Sequence, residues 1–139
     1  MKKEIYSWKA FNIDISCICY KIKTDMKDIK AIYAIPKGGL PLGVALANHL
    51  KLPFYLDLRD IPFSRAKTLI VDDTSDSGKT FINIPNVCDY KTISLYIKEG
   101  TQFIPNFFIR ECKKHRWIVF PWEPLSKEAK KDGTIKNSN

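Results

Sequence analysis

An α/β domain with a mainly parallel central sheet flanked by helices is what this sequence predicts, and three observations carry that expectation. Short β-branched runs, among them IKAIYAI (29–35), TLIVD (68–72) and KTISLYIK (91–98), alternate with stretches of helical character. IKAIYAI is apolar almost throughout, the pattern of a strand covered on both faces. Two of the runs lead into loops rich in glycine, lysine and acids, PKGG (36–39) and DDTSDSGKT (72–80). In open parallel sheets, ligands sit where strands finish at their carboxyl edge.

The elements follow in order. Ser7 can cap a helix from Trp8 to about Ile22, whose apolar face carries Trp8, Phe11, Ile15, Ile18, Cys19 and Ile22. KIKTDMKD (21–28) is a polar connection to the strand 29–35, and PKGGLP (36–41) leads into a helix over LGVALANHL (42–50). FYLDL (54–58) predicts the next strand, and RDIPFSRAK (59–67) joins it to TLIVD. Beyond the acidic loop, a helix near Thr80 lasts a turn or two, because Pro85 and Asn86 break it. KTISLYIK is a strand and WIVFP (117–121) the last one, with FIPNFFIRECKKH (103–115) leading into it by a weaker pattern. The segment SKEAKKDGTIKNSN (126–139) has few apolar residues and is expected to be flexible. The expected organisation is one domain over 1–123 and a polar tail over 124–139.

At 139 residues the chain is long enough for a real core, and 45% apolar with 27% charged residues is an ordinary globular balance. The net charge of +8 suits an anionic partner or reflects general lysine enrichment. No apolar run reaches the ~20 residues of a membrane span, and MKKEIYSWK lacks a signal-peptide core, so a cytoplasmic location is expected. Cys17, Cys19, Cys88 and Cys112 form no C-x-x-C pair, which argues for reduced core thiols over a zinc site or a disulfide framework. Nucleic-acid binding rests on charge and scattered aromatics alone and lacks a module signature.

The two loops carry the chemistry. In DSGKT (76–80), Gly78 frees the backbone ahead of a helix start, so the amides form an anion cradle to which Ser77 and Thr80 add hydroxyls. A triphosphate-binding P-loop would need glycine five positions before Gly78, where Asp73 stands. Asp72 and Asp73, adjacent at a strand end, suit ribose hydroxyls, directly or through a magnesium shell; paired acids in a turn are the plainer alternative. PKGG reads equally as a close anion approach, with Lys37 adding charge, or as a tight turn into a helix.

VDDTSDSGKT resembles the phosphoribosyl-pyrophosphate (PRPP) signature of the type I phosphoribosyltransferases, and PKGG resembles their pyrophosphate loop. SLYIK (94–98), WIVFPWE (117–123) and SWKAF (7–11) are similar to the purine branch, most of all to its bacterial xanthine-guanine members, so the likeness runs over about 6–123. The resemblance implies a Rossmann-like sheet with a reduced hood, and transfer of the 5-phosphoribosyl group from PRPP to guanine, xanthine or hypoxanthine with Mg2+. It implies that Asp72 and Asp73 hold the ribose hydroxyls and the metal. Thr74, Ser75, Asp76, Ser77, Gly78, Lys79 and Thr80 would form the 5′-phosphate loop. Lys37, Gly38, Gly39 and Arg59 would meet pyrophosphate, across a cis bond before Lys37. Asp76 and Lys37 would be the catalytic groups, and Lys98, Trp117 and Ile118 would recognise the base. A dimer or tetramer is also implied.

The sequence departs from the family pattern mildly at Ser77, which replaces the commoner threonine and keeps the hydroxyl, and more strongly in one stretch. FYLDLRDIPFSRAK (54–67) is short where relatives carry a long flap over PRPP, leaving Arg59, Arg65 and Lys67 as its basic side chains. That shortening keeps a second expectation open, a phosphoribosyltransferase-like regulator that binds PRPP or a nucleotide with little turnover.

Overall fold

The computed structural model describes residues 2–124. The elements are β1 (Lys2–Ile5), α1 (Trp8–Asp25), β2 (Ala31–Ala34), α2 (Leu40–Leu50), β3 (Phe54–Tyr55), β4 (Thr68–Ser75), α3 (Lys79–Ile82), β5 (Lys91–Lys98), β6 (Phe107–Cys112) and β7 (Arg116–Val119). The expected tail lies outside the described residues, apart from position 124.

Five strands form a parallel sheet in the order β3-β2-β4-β5-β6. From β2 the chain steps one way to β3 and afterwards the other way through β4, β5 and β6. The order therefore reverses between β2 and β4, leaving a crevice at their carboxyl ends where no crossover helix sits. Period-two alternation fills both faces. Ile32, Ala34, Leu69, Val71, Ile93 and Leu95 pack with Phe11, Ile15, Ile18 and Ile22 of α1 and Leu42 and Leu46 of α2. Ile70 and Ile35 turn the other way, onto Phe81 of α3 and Val87. The α/β class and the parallel sheet agree with the sequence expectation.

Several boundaries differ, each for a physical reason. α1 is capped by the Ser7 hydroxyl, which accepts from the Ala10 amide, but it runs on to Asp25, where the Lys21–Asp25 pair at 2.6 Å supports its last turn. FYLDL is a strand only at Phe54–Tyr55, because Asp57 caps a 3-10 turn over Leu58–Asp60 through the Arg59 amide. β4 does not stop at Asp72. It continues to Ser75 because β5 is long enough to pair Thr74 with Tyr96 and Ser75 with Ile97. Of the cysteines, Cys19 and Cys112 are core residues, whereas Cys17 and Cys88 are exposed. Among the described residues, no helix is long and apolar enough to cross a membrane.

Lys2–Ile5, for which the sequence predicts no element, pairs in parallel with β7 as a separate two-stranded sheet. Aromatic rings fasten it to the main sheet: Tyr6 stands edge-on to Tyr96 at 5.7 Å and to Phe120 at 5.4 Å, and Phe120 stacks on Trp122 at 4.9 Å. Polar contacts reinforce the junction. Tyr6 donates its hydroxyl to the buried Asp14 carboxylate at 2.5 Å, and Arg110 from β6 donates to the same oxygen while lying over the Tyr6 ring. Burial, then the hydrogen bond to Asp14, raises the Tyr6 hydroxyl above the usual tyrosine range.

Asp14 therefore holds three elements together, and its loss costs more than the loss of either donor. Asp14→Ala is expected to destabilise by about 2–4 kcal/mol, since it strands the Tyr6 hydroxyl and leaves half-exposed Arg110 to turn to water. Tyr6→Phe is expected to cost about 1 kcal/mol. Urea unfolding checks the order; equal costs would mean that Asp14 contributes no more than one neutral hydrogen bond.

Candidate active site

The crevice between β2 and β4 holds a cavity of about 350 Å³. Its walls are Ile35, Pro36 and Gly38 after β2, and Asp72, Asp73, Thr74, Asp76 and Thr80 from the end of β4 to α3. Lys98 at the end of β5 adds a cation, and Trp117, Ile118, Phe120 and Glu123 close the far side from β7 and the turn after it.

Asp72 and Asp73 dominate its electrostatics. The Asp72 carboxylate accepts from the Asp73 amide at 2.8 Å, and the Asp73 carboxylate accepts from the Thr74 amide at 2.7 Å. Burial raises the pKa of both side chains, and the Asp73 charge raises Asp72 further. Two desolvated, adjacent carboxylates are short of positive charge and of donors. The Thr74 hydroxyl, buried and without a partner, stands in the same wall. Glu123 faces this pair across the opening; burial first, and then the Asp73 charge, raises its carboxyl.

The peptide bond Pro36–Lys37 is cis. The chain then passes so close to Asp73 that a Cβ on Gly38 would run into its carboxylate. On the other side, Gly78 has φ 89°, and a Cβ there would lie 2.6 Å from the Phe103 amide. Its conformation turns the chain into α3, where the Ser77 hydroxyl accepts from the Lys79 amide at 3.2 Å.

Of the residues singled out by sequence, the cavity brings together Gly38, Asp72, Asp73, Thr74, Asp76, Thr80, Lys98, Trp117 and Ile118. Lys37, Ser77 and Lys79 are exposed on the loops beside it, while Gly39 and Gly78 are packed beneath those loops. Ser75 turns inward, donating to the Phe103 carbonyl at 2.6 Å. Arg59 does not line the cavity: its guanidinium pairs with Asp57 at 2.7 Å and, by those hydrogen bonds, holds that carboxyl down at about 2. Sequence reasoning missed the side chains of Ile35, Pro36, Phe120 and Glu123 as walls. The P-W-E ending of 117–123 was the available signal for Glu123.

Magnesium fits the donor set. Among the described residues no cluster of three or more His, Cys, Asp or Glu is placed to hold a metal by itself. A hard cation that keeps several waters needs only one or two carboxylates and takes its remaining oxygens from a substrate. Asp72 and Asp73 match that demand, being oxygen donors whose charge is otherwise uncompensated.

No family model matches the chain. A curated relative, the xanthine-guanine phosphoribosyltransferase of Desulfotalea psychrophila, is 22% identical over 141 residues, covering 88% of this chain and 88% of its own. The solved purine phosphoribosyltransferase of Pyrococcus horikoshii superposes with TM-score 0.75 at 26% identity, covering 91% of this chain and 97% of its own. The Helicobacter pylori xanthine-guanine-hypoxanthine phosphoribosyltransferase gives TM-score 0.71 at 20% identity, covering 96% and 99%, and shares the fold.

The close approach of Gly38 to Asp73 is testable without any ligand. Gly38→Ala is expected to destabilise by about 1–3 kcal/mol through overpacking, and adding Asp73→Ala should relieve about 1 kcal/mol of that as a coupling energy. A double-mutant cycle in urea unfolding measures it. Additive costs would place the new methyl elsewhere.

Proposed function

We propose that the chain, a phosphoribosyltransferase of type I fold similar to the purine branch of that family, transfers the 5-phosphoribosyl group from PRPP to a 6-oxopurine and releases pyrophosphate. One observation carries this reading: a single cavity is walled by the Asp72–Asp73 pair, by Asp76 and Thr80 of the anion loop, and by Lys98 with Trp117 and Ile118. Ribose, phosphate and base each find a suitable surface at one opening.

In the reaction the purine N9–C1′ bond forms as the bond from C1′ to pyrophosphate oxygen breaks, the electron pair leaving with pyrophosphate. Asp72 and Asp73 would hold the ribose hydroxyls and the metal, and Thr74 with the loop 76–80 would hold the 5′-phosphate, Ser75 being turned inward onto the Phe103 carbonyl. When bound, magnesium stabilises the charge that builds on pyrophosphate. Lys37, free on its loop, adds its ammonium to the same leaving group. Asp76 takes the proton the purine loses at N7. Lys98 donates to the 6-oxo group and disfavours adenine, whose 6-amino group presents donors to a cation. Trp117 and Ile118 pack against the ring. The rest of the rate comes from holding base and sugar in line. The same reading places the chain in the cytoplasm and, by resemblance, in a dimer or tetramer.

The test is pyrophosphate release from PRPP and Mg2+ with guanine, xanthine, hypoxanthine and adenine supplied separately. Release with at least one oxopurine and none with adenine is expected, and Asp76→Asn should lower kcat about 10²-fold or more. The shortness of 54–67 and the engagement of Arg59 by Asp57 favour one other reading, a PRPP or nucleotide binder. Tight PRPP binding without release for any base would select it.

A further inference from the structure

The loop proposed for the 5′-phosphate has few bonds of its own, chiefly the Lys79 amide to the Ser77 hydroxyl and the Ile82 amide to the Gly78 carbonyl. α3 is only Lys79–Ile82, so the loop needs an outside brace, and the connection between β5 and β6 supplies one. Ser75, 1% exposed, donates to the Phe103 carbonyl at 2.6 Å, and its oxygen lies 3.1 Å from the Thr101 hydroxyl. The Thr101 hydroxyl also donates to the Phe103 carbonyl at 3.3 Å, so the two hydroxyls share one acceptor and either can donate to the other. The Gln102 amide donates to the Ser77 carbonyl at 2.9 Å. Phe103 stacks on the fully buried Phe81 of α3 at 4.9 Å, with ring planes 15° apart. The same segment begins at the lysine that walls the base side, where the Thr101 amide donates to the Lys98 carbonyl at 3.0 Å.

We infer that Thr101 and Ser75 are positioning residues: the Thr101–Ser75–Phe103 hydrogen-bond chain sets the geometry of the 76–80 anion cradle and ties it to Lys98. The inference rests on the proposed PRPP reading. Neither hydroxyl is turned toward the cavity, since both are engaged with each other and with the Phe103 carbonyl. Their effect passes through the backbone amides of the loop, whose orientation decides how well they meet a phosphate. Phosphate held less well, equally in ground and transition states, raises KM and leaves kcat unchanged.

Three variants and two ligands test this. Thr101→Val keeps the side-chain shape and removes the hydroxyl, Ser75→Ala removes its partner, and Thr101→Ser restores the donor. Affinities are measured by calorimetry for ribose 5-phosphate, which needs the cradle, and for magnesium pyrophosphate, which does not. Thr101→Val and Ser75→Ala are each expected to weaken ribose 5-phosphate ~5-fold, the worth of one hydrogen bond, and to raise the KM for PRPP alike at unchanged kcat. Magnesium pyrophosphate affinity should stay the same, and Thr101→Ser should recover wild-type values. Equal weakening of both ligands with a lowered melting temperature would overturn the inference in favour of a merely structural role, as would unchanged ribose 5-phosphate affinity in Thr101→Val. A wild-type chain that binds pyrophosphate but neither PRPP nor ribose 5-phosphate would instead overturn the PRPP reading, and the inference with it.

Discussion

Two carboxylates, the buried Asp72 and the half-buried Asp73, stand side by side toward the carboxyl end of a central strand, and much of the architecture answers to that arrangement. Burial opposes the charge of both, and the Asp73 charge further opposes that of Asp72. The backbone amides of Asp73 and Thr74 offset part of it, and each donates within the pair's own segment. What remains is relieved by a proton or by a ligand or cation entering the crevice. An apolar residue in place of either acid would remove the conflict and also the reason for the crevice to bind anything polar.

The sheet order makes that arrangement possible. Because the chain departs in opposite directions from β2 and β4, neither crossover covers the space between their ends. The opening is then shaped from three directions: by the tight passage at Gly38, by the loop that turns at Gly78, and by the small β1–β7 sheet carrying Trp117 and Ile118. That sheet is held by rings and by the Tyr6–Asp14–Arg110 contacts. The wall formed by Trp117 and Ile118 thus depends on packing well away from it.

Among the buried polar groups of the described residues, Arg116 Nε and Trp122 Nε1 lack a partner away from the cavity, whereas three others bear directly on the site or its scaffold. Asp14 has Tyr6 and Arg110, and Ser75 has Phe103 and Thr101. Thr74, whose hydroxyl has no partner, is the one among these three that lines the cavity. Satisfied groups brace the scaffold, and the unsatisfied hydroxyl stands where a ligand oxygen can complete it.

Local patterning determined the parts of this protein that local physics controls. Buried strands, the Ser7 cap, the short helix stopped by Pro85 and the glycine turns could all be read, because each depends on neighbours a few residues away. That Asp72, Asp73, Asp76, Thr80 and Lys98 meet at one cavity was legible too, since polar side chains of these types at strand ends point to a shared site. The fates of Arg59 and Ser75 were not: one is held by Asp57 in a 3-10 turn, the other turned inward to a segment far along the chain. Nor was β1, which exists only because β7 offers it a partner strand. Tertiary structure alone decided these, because hydrogen-bond partners and burial are settled between segments distant in sequence, and a side chain's type does not say which way its strand will face.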